Sequence, residues 1–117
     1  VRGRLRVVAR RTDLIVTGGE NVYPAEIEAV LASHPAVAEA AVVGVDDAVW
    51  GQVPVALWSP RGSSSAADDF EAWIRARLAG FKVPKRFIRV EALPRTGSGK
   101  VDRAQLRSLV SNEVKTR

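Results

Sequence analysis

Between positions 94 and 100 the chain reads Pro-Arg-Thr-Gly-Ser-Gly-Lys, two glycines leading to Lys100 in the manner of a phosphate cradle. Two common phosphate-binding patterns are excluded by the neighbouring residues. The P-loop of nucleotide hydrolases needs a glycine where Pro94 stands and a Ser or Thr where Val101 stands. A dinucleotide fingerprint needs a third glycine where Asp102 stands. What remains is physical: glycines open backbone shapes that other residues resist, and Lys100 brings a compact, mobile point charge. The residue reads as a lysine on a flexible stalk before a helix start, able to carry its ammonium toward an anion held elsewhere. The Gly-Ser-Gly setting favours that reading over an ordinary solvated lysine.

Three further stretches carry chemistry-bearing residue types. In Thr-Gly-Gly-Glu-Asn-Val-Tyr-Pro, the bare backbone of Gly18 and Gly19 could pass close to a ligand, although on spacing alone an ordinary strand-to-helix turn accounts for it. In Phe-Lys-Val-Pro-Lys-Arg, Phe81 follows Gly80 beside Lys82, Lys85 and Arg86, a set able to stack a base and hold phosphates. A solvated basic loop with one buried Phe fits it equally. The arginines at the start, Arg2, Arg4, Arg6, Arg10 and Arg11, fall mostly on alternate positions and read as the solvated face of a strand. Nothing forms a catalytic triad, since serine-rich loops without a partnering base activate no nucleophile.

Composition narrows the classes. The 117 residues make one domain with a real core, below the size at which a whole catalytic site usually fits. Without cysteine there are no disulfides, thiolate metal sites or cysteine nucleophiles, and the lone His34, ahead of Pro35 at an expected helix end, reads as structural. No stretch approaches the roughly 18 apolar residues of a membrane span, and no apolar signal core follows the basic start, so a cytoplasmic protein is expected. The net charge of +5 favours anionic partners without choosing among nucleic acid, membrane surface and small polyphosphate.

The elements that must position these residues follow from periodicity. Leu5 and Val7, then Leu14, Ile15 and Val16, predict two short strands ending at a tight Gly18-Gly19 turn. Pro24 at a first-turn position, with Ile27, Val30 and Leu31 on one face, predicts an amphipathic helix stopped before Pro35. The apolar runs at 37–45 and 53–59 read as core strands joined by a short turn containing Trp50. Phe70, Trp73, Ile74 and Leu78 predict a second core-facing helix after a polar loop at 63–69; Arg86 to Val90 predicts a third strand. A last helix follows, with Asp102 and Gln105 as a capping box and fraying from Ser111 onward. The expected fold is α+β: a short N-terminal strand pair and a roughly three-stranded sheet flanked by helices.

Taken together, the opening GRLRVVARRTDLIVTGGENVYPAEIE, the central SHPAVAEAAVVGVDDAVWGQVPVA and the late LPRTGSGKVDR resemble, in this order, the C-terminal domain of adenylate-forming enzymes, the acyl-CoA synthetase superfamily. The resemblance covers essentially all of residues 1–117. Among members, the stretch RRTDLIVTGGENVYPAEIEAVLASHPAVAEA is most similar to o-succinylbenzoate-CoA ligases of menaquinone synthesis and nearby aryl-CoA ligases.

The resemblance implies a mobile lid domain of an ATP-dependent acid-thiol ligase, closing in two orientations over a large N-terminal domain that holds the acid pocket and, mainly, the Mg2+ accompanying ATP. It implies that Lys100 serves acyl-AMP formation from a small carboxylic acid and ATP. Arg10 would contact the ATP ribose and Thr12 would occupy the hinge position, where the family usually has Asp or Lys. Gly18 and Gly19 would line the pantetheine tunnel, and Trp50, Phe81 and Lys85 would contact the CoA nucleotide and its phosphates. Val83 stands where some relatives carry a phosphate-binding arginine, and Ala9 where glycine usually precedes Arg10.

Because the family's TGD motif and ribose-binding aspartate lie ahead of these motifs, the chain is expected to be one domain of a longer ligase and inactive alone. Its partner is then its own N-terminal domain, with no nucleic acid and no membrane span. Two alternatives stand beside this: a nonribosomal peptide synthetase adenylation fragment, since GKVDR occurs there too, and a non-catalytic nucleic-acid binding module, for which net charge is the only support.

Overall fold

The computed structural model describes residues 14–62 and 69–115. Arg10, Thr12, the expected strand around Leu5 and Val7, and most of the polar loop lie outside the described residues.

The centre is a long antiparallel hairpin, β3 (Val37–Asp47) and β4 (Gly51–Pro60), paired from Val37 beside Pro60 to Asp47 beside Gly51. Both strands are rich in valine, which suits a pleated, packed surface. On one side of this pair Val42, Ala56 and Trp58 pack with Ile27 and Leu31 of α1 (Pro24–Ala32) and Phe70 and Ile74 of α2 (Phe70–Arg75). On the other, Ala41, Val43, Val55 and Leu57 pack with Leu93 and with Leu106 and Val110 of α3 (Arg103–Lys115). Because helices cover both sides, β4 is apolar at nearly every position and does not alternate.

Three short strands extend the sheet. β1 (Ile15–Thr17) and β2 (Glu20–Val22) form a hairpin across Gly18-Gly19, and Thr17 pairs with Gly51 at the start of β4. The expected strand-to-helix turn is thus a two-residue hairpin turn, with both glycines in the left-handed region at φ 58° and 86°. That turn matches the twist of the strands it joins, and residues with a side chain adopt it reluctantly. β5 (Arg86–Arg89) runs parallel to β4, beside residues 55–58. The α+β expectation is met in a sheet of five strands; β1 falls at the second strand of the expected N-terminal pair, the first lies outside the described residues, and β2 is unforeseen.

The helix boundaries have local causes. Pro24 opens α1, where its missing N–H is no loss. His34, buried just beyond the helix, accepts the Ala36 N–H on Nδ1 (3.0 Å), so its proton sits on Nε2 and is donated to Asp69 (2.8 Å). Edge-on contacts with Phe70 and Trp73 complete its surroundings; the residue is structural, tying the end of α1 to α2. Trp73, read as core, is half-buried, with its indole N–H donated to the Val30 carbonyl (3.0 Å). Asp102 caps α3 by accepting the Gln105 N–H (3.1 Å), but its own N–H goes to the Pro94 carbonyl (2.9 Å), leaving nothing for a reciprocal Gln105 contact. The helix continues to Lys115, past the expected fraying point. Among the described residues, no helix is long and apolar enough to cross a membrane.

Leu106 is fully buried and anchors α3 to the sheet. Leu106→Ala is expected to destabilise the fold by about 2–5 kcal/mol, the range for a buried leucine truncation, whereas half-buried Leu109→Ala loses clearly less; urea unfolding midpoints compare the two.

Candidate functional site

At the turn end of the long hairpin, three loops converge. Asp47, last in β3, accepts the N–H groups of Val49 and Trp50 on one carboxylate oxygen, both at 2.9 Å, and so shapes the turn to β4. These two bonds, with a smaller contribution from nearby Lys85, hold its carboxyl below the ordinary value of 3.8. The turn then meets the β1–β2 hairpin, where Gly18 N–H donates to the Trp50 carbonyl at 2.9 Å. A side chain on Gly18 would lie 2.7 Å from Trp50 Cε3, so the bare backbone is required by contact as well as by its left-handed φ. From the other side comes the 3₁₀ turn at Gly80–Lys82 and the segment leading into β5, whose Lys85 N–H is held by the Pro54 carbonyl (2.9 Å).

These loops enclose an open groove of about 400 Å³ lined by Gly18, Trp50, Phe81 and Lys85, with Thr17, Glu20 and Pro54 among its other walls. Trp50 and Phe81 are half-exposed, at 49% and 41%, which is unusual for such large apolar rings unless something stacks on them. The Lys85 ammonium lies 5.8 Å from the centre of the Trp50 ring. Four of the residues singled out from sequence therefore share one concave surface. Gly19 belongs to the same turn but does not line the groove, and a side chain there would meet nothing within 4 Å.

Lys100 lies elsewhere. The stretch from Arg95 to Val101 is a miniature hairpin: these two residues pair, Thr96 N–H donates to the Lys100 carbonyl (2.8 Å), and Gly99, at φ 92°, donates to Thr96 (2.9 Å). The glycines thus build a defined turn rather than a slack stalk, and the freedom that remains is in the lysine side chain. Lys100 is exposed, and its ammonium has no partner among the described residues. Arg95 pairs with Glu39 at 2.7 Å, near the start of β3, so this hairpin lies at the opposite end of the sheet from Trp50. Asp47 lies eight residue steps along β3 from Glu39, about 26 Å at the usual rise.

Sequence reasoning did not find that Glu71 and Arg75 of α2 also line the groove. Their spacing of four marks an exposed helical pair, and nothing local says that α2 packs beside the Phe81 turn. No three His, Cys, Asp or Glu residues among the described ones converge to hold a metal ion.

Two outcomes follow from the turn. Gly18→Ala is expected to destabilise the protein by at least about 1–2 kcal/mol, the penalty for left-handed backbone, and to displace Trp50, read as a change in its fluorescence against a Trp50→Phe reference. Asp47 binds its proton less readily folded than unfolded, so its stabilising effect is full above about pH 3.8 and fades as pH falls through the lower folded value. Amide protection at Val49 and Trp50 is expected to fall over that acid range, and Asp47→Asn, which cannot titrate, is expected to flatten it.

The sequence matches the AMP-binding enzyme C-terminal domain over residues 26–100. It is 52% identical over 111 residues to the 2-succinylbenzoate–CoA ligase of Geobacillus sp. (strain WCH70), covering 94% of this chain and 23% of that protein. The corresponding ligase of Bacillus cereus (strain ATCC 10987 / NRS 248) is 53% identical, with 92% and 22% covered. Among solved structures, o-succinylbenzoate CoA synthetase (MenE) from Bacillus subtilis, in complex with the acyl-adenylate intermediate OSB-AMP, superposes with a TM-score of 0.77 at 49% identity, over 84% of this chain and 20% of that one. A Mycobacterium tuberculosis fatty acyl CoA synthetase gives 0.82 at 39% identity, over 89% and 21%. The chain thus spans less than a quarter of the length of the curated relatives it matches. With 75 of its 117 residues inside the family match, the chain belongs to the AMP-binding enzyme C-terminal domain family.

Proposed function

We propose that this chain is the mobile C-terminal domain of an ATP-dependent acyl- or aryl-CoA ligase, working against a large N-terminal domain that holds the acid. The likeness to 2-succinylbenzoate–CoA ligases favours an aryl acid of that type. The observation that carries the reading is the placement of two different devices at opposite ends of one rigid sheet. Lys100 stands on its hairpin beyond Glu39, and the groove of Gly18, Trp50, Phe81 and Lys85 opens beyond Asp47.

Each device suits one half of such a reaction. Joining a carboxylate to the α-phosphate of ATP brings two anions together. A lysine ammonium between their oxygens aligns them and offsets the charge that develops, which is the role assigned here to Lys100. Arg10 and Thr12 are assigned to the ATP ribose and the hinge on sequence resemblance alone. Thioester formation needs the CoA thiol delivered to the acyl-AMP. The groove offers aromatic faces for the nucleotide base and Lys85 for its phosphates, while the Gly18 backbone, whose missing side chain makes space for Trp50, forms a wall along which the thin pantetheine arm can run. Because the strand residues beside the two devices, Glu39 and Asp47, lie about 26 Å apart, the domain must turn to present each device in its own step. Among the described residues the large apolar side chains left exposed are Val49 and Trp50 on the β3–β4 turn, Phe81 on the turn before β5, and Val16 and Tyr23 on and just after the β1–β2 hairpin, as a surface that docks on a partner domain would require.

The test uses the full-length ligase that carries this domain. Lys100→Ala is expected to lower acid-dependent pyrophosphate release by about a hundredfold or more while leaving thioester formation from supplied acyl-AMP nearly intact. Equal survival of both half-reactions would make Lys100 a solvated surface charge and overturn the assignment.

A further inference from the structure

The groove has a second cation that the proposed function does not use. Arg75 lies on the last turn of α2 and lines the groove with Phe81 and Lys85. Its guanidinium lies against Gly80: a side chain on that glycine would meet Arg75 Nη1 at 3.4 Å, about van der Waals contact. The same guanidinium pairs with Glu71, one turn earlier, at 3.1 Å. Both members are more than half exposed, at 56% and 63%, and such a pair is worth little and exchanges partners readily. A phosphate is the stronger partner, because it offers several oxygens at once to the planar fork of an arginine.

The two cations flank the aromatic rings from different sides. Lys85 lies over Trp50, next to the Gly18 turn, while Arg75 lies on the Gly80–Phe81 side. A groove with a ring surface and a cation on each flank fits a nucleotide bearing phosphate at two separated positions of its ribose, better than one bearing a single phosphate group.

We propose that Arg75 is a specificity-determining residue of this groove: it recognises a ribose 3'-phosphate on a nucleotide stacked against Trp50 and Phe81, while Lys85 holds the 5'-diphosphate that leads toward Gly18. The inference rests on the reading of the groove as a CoA site and deepens it. Glu71 then acts as a resident counter-ion, which Arg75 leaves when the 3'-phosphate arrives.

Titration of the 117-residue chain with CoA and with dephospho-CoA, which lacks only the 3'-phosphate, is followed by amide and indole resonances at Gly18, Trp50 and Phe81. The wild-type chain is expected to bind CoA about fivefold more tightly than dephospho-CoA, the size of an accessible charge pair. Arg75→Gln removes that preference and leaves the affinity for dephospho-CoA as it was; Glu71→Gln increases the preference; Lys85→Gln weakens both ligands alike. Unchanged resonances away from the groove show that each variant is folded. If Arg75→Gln keeps the preference, or weakens both ligands equally, the role of Arg75 is overturned and the groove remains a CoA site. If neither ligand moves Gly18, Trp50 or Phe81 in the wild-type chain, the reading of the groove fails and this inference fails with it.

Discussion

Strand β4 has no side facing water, and most of the architecture answers to that. A strand that is apolar at successive positions must be covered above and below, and the chain supplies α1 and α2 on one side and α3 on the other. Val42, Ala56 and Trp58 belong to one layer and Ala41, Val43, Val55 and Leu57 to the other, so slipping the hairpin by one residue would exchange two different cores. The register is therefore specified twice. A hairpin held this firmly is a rod, and loops at its two ends keep a fixed separation whatever the domain as a whole does.

The free edge of that rod is closed by side chains. At Val42, whose N–H and carbonyl point away from β4, the Glu28 carboxylate takes the N–H at 2.9 Å and the Arg103 guanidinium donates to the carbonyl at 2.9 Å. The two side chains also pair with each other at 3.0 Å. One residue of strand thus carries a bridge from α1 to α3 across the edge of the sheet, and its polar groups are satisfied where another strand could otherwise add. Lower on the same strand, Arg61 donates to the Val37 carbonyl at 3.0 Å and Arg95 pairs with Glu39. The arginines that raise the net charge are in these cases structural.

Local chemistry made the main elements legible. Pro24, the valine runs and the spacing of Phe70 with Ile74 each report a backbone preference or a buried face that acts over a few residues. The β1–β2 hairpin was missed although its signal was present: two glycines between short extended segments demand a two-residue turn, but three residues of strand are too few to show alternation. Of the candidate site, local sequence singled out Lys100 by its glycine setting and left Phe81 and Lys85 balanced against a solvated basic loop; Trp50 read only as part of a short turn until the resemblance gave it a role. Arg75 carried no such mark. Its place in the groove depends on how α2 packs against a turn five residues further on, and its spacing from Glu71 is that of any solvated helical pair. The slack expected at Lys100 was likewise misjudged, because Thr96 and Ser98 close the turn with their hydroxyls 3.0 Å apart and the backbone pairs across it.

The stiffness of the Lys100 hairpin has a consequence for timing. If its ammonium serves one step and the groove the next, a rod about 26 Å long between them acts as an interlock. On the proposed reading, the end that is engaged would hold the other in solvent, and the thiol could not be offered while the lysine is in place. Sequence of events is then enforced by length alone, with no need for either site to sense the other.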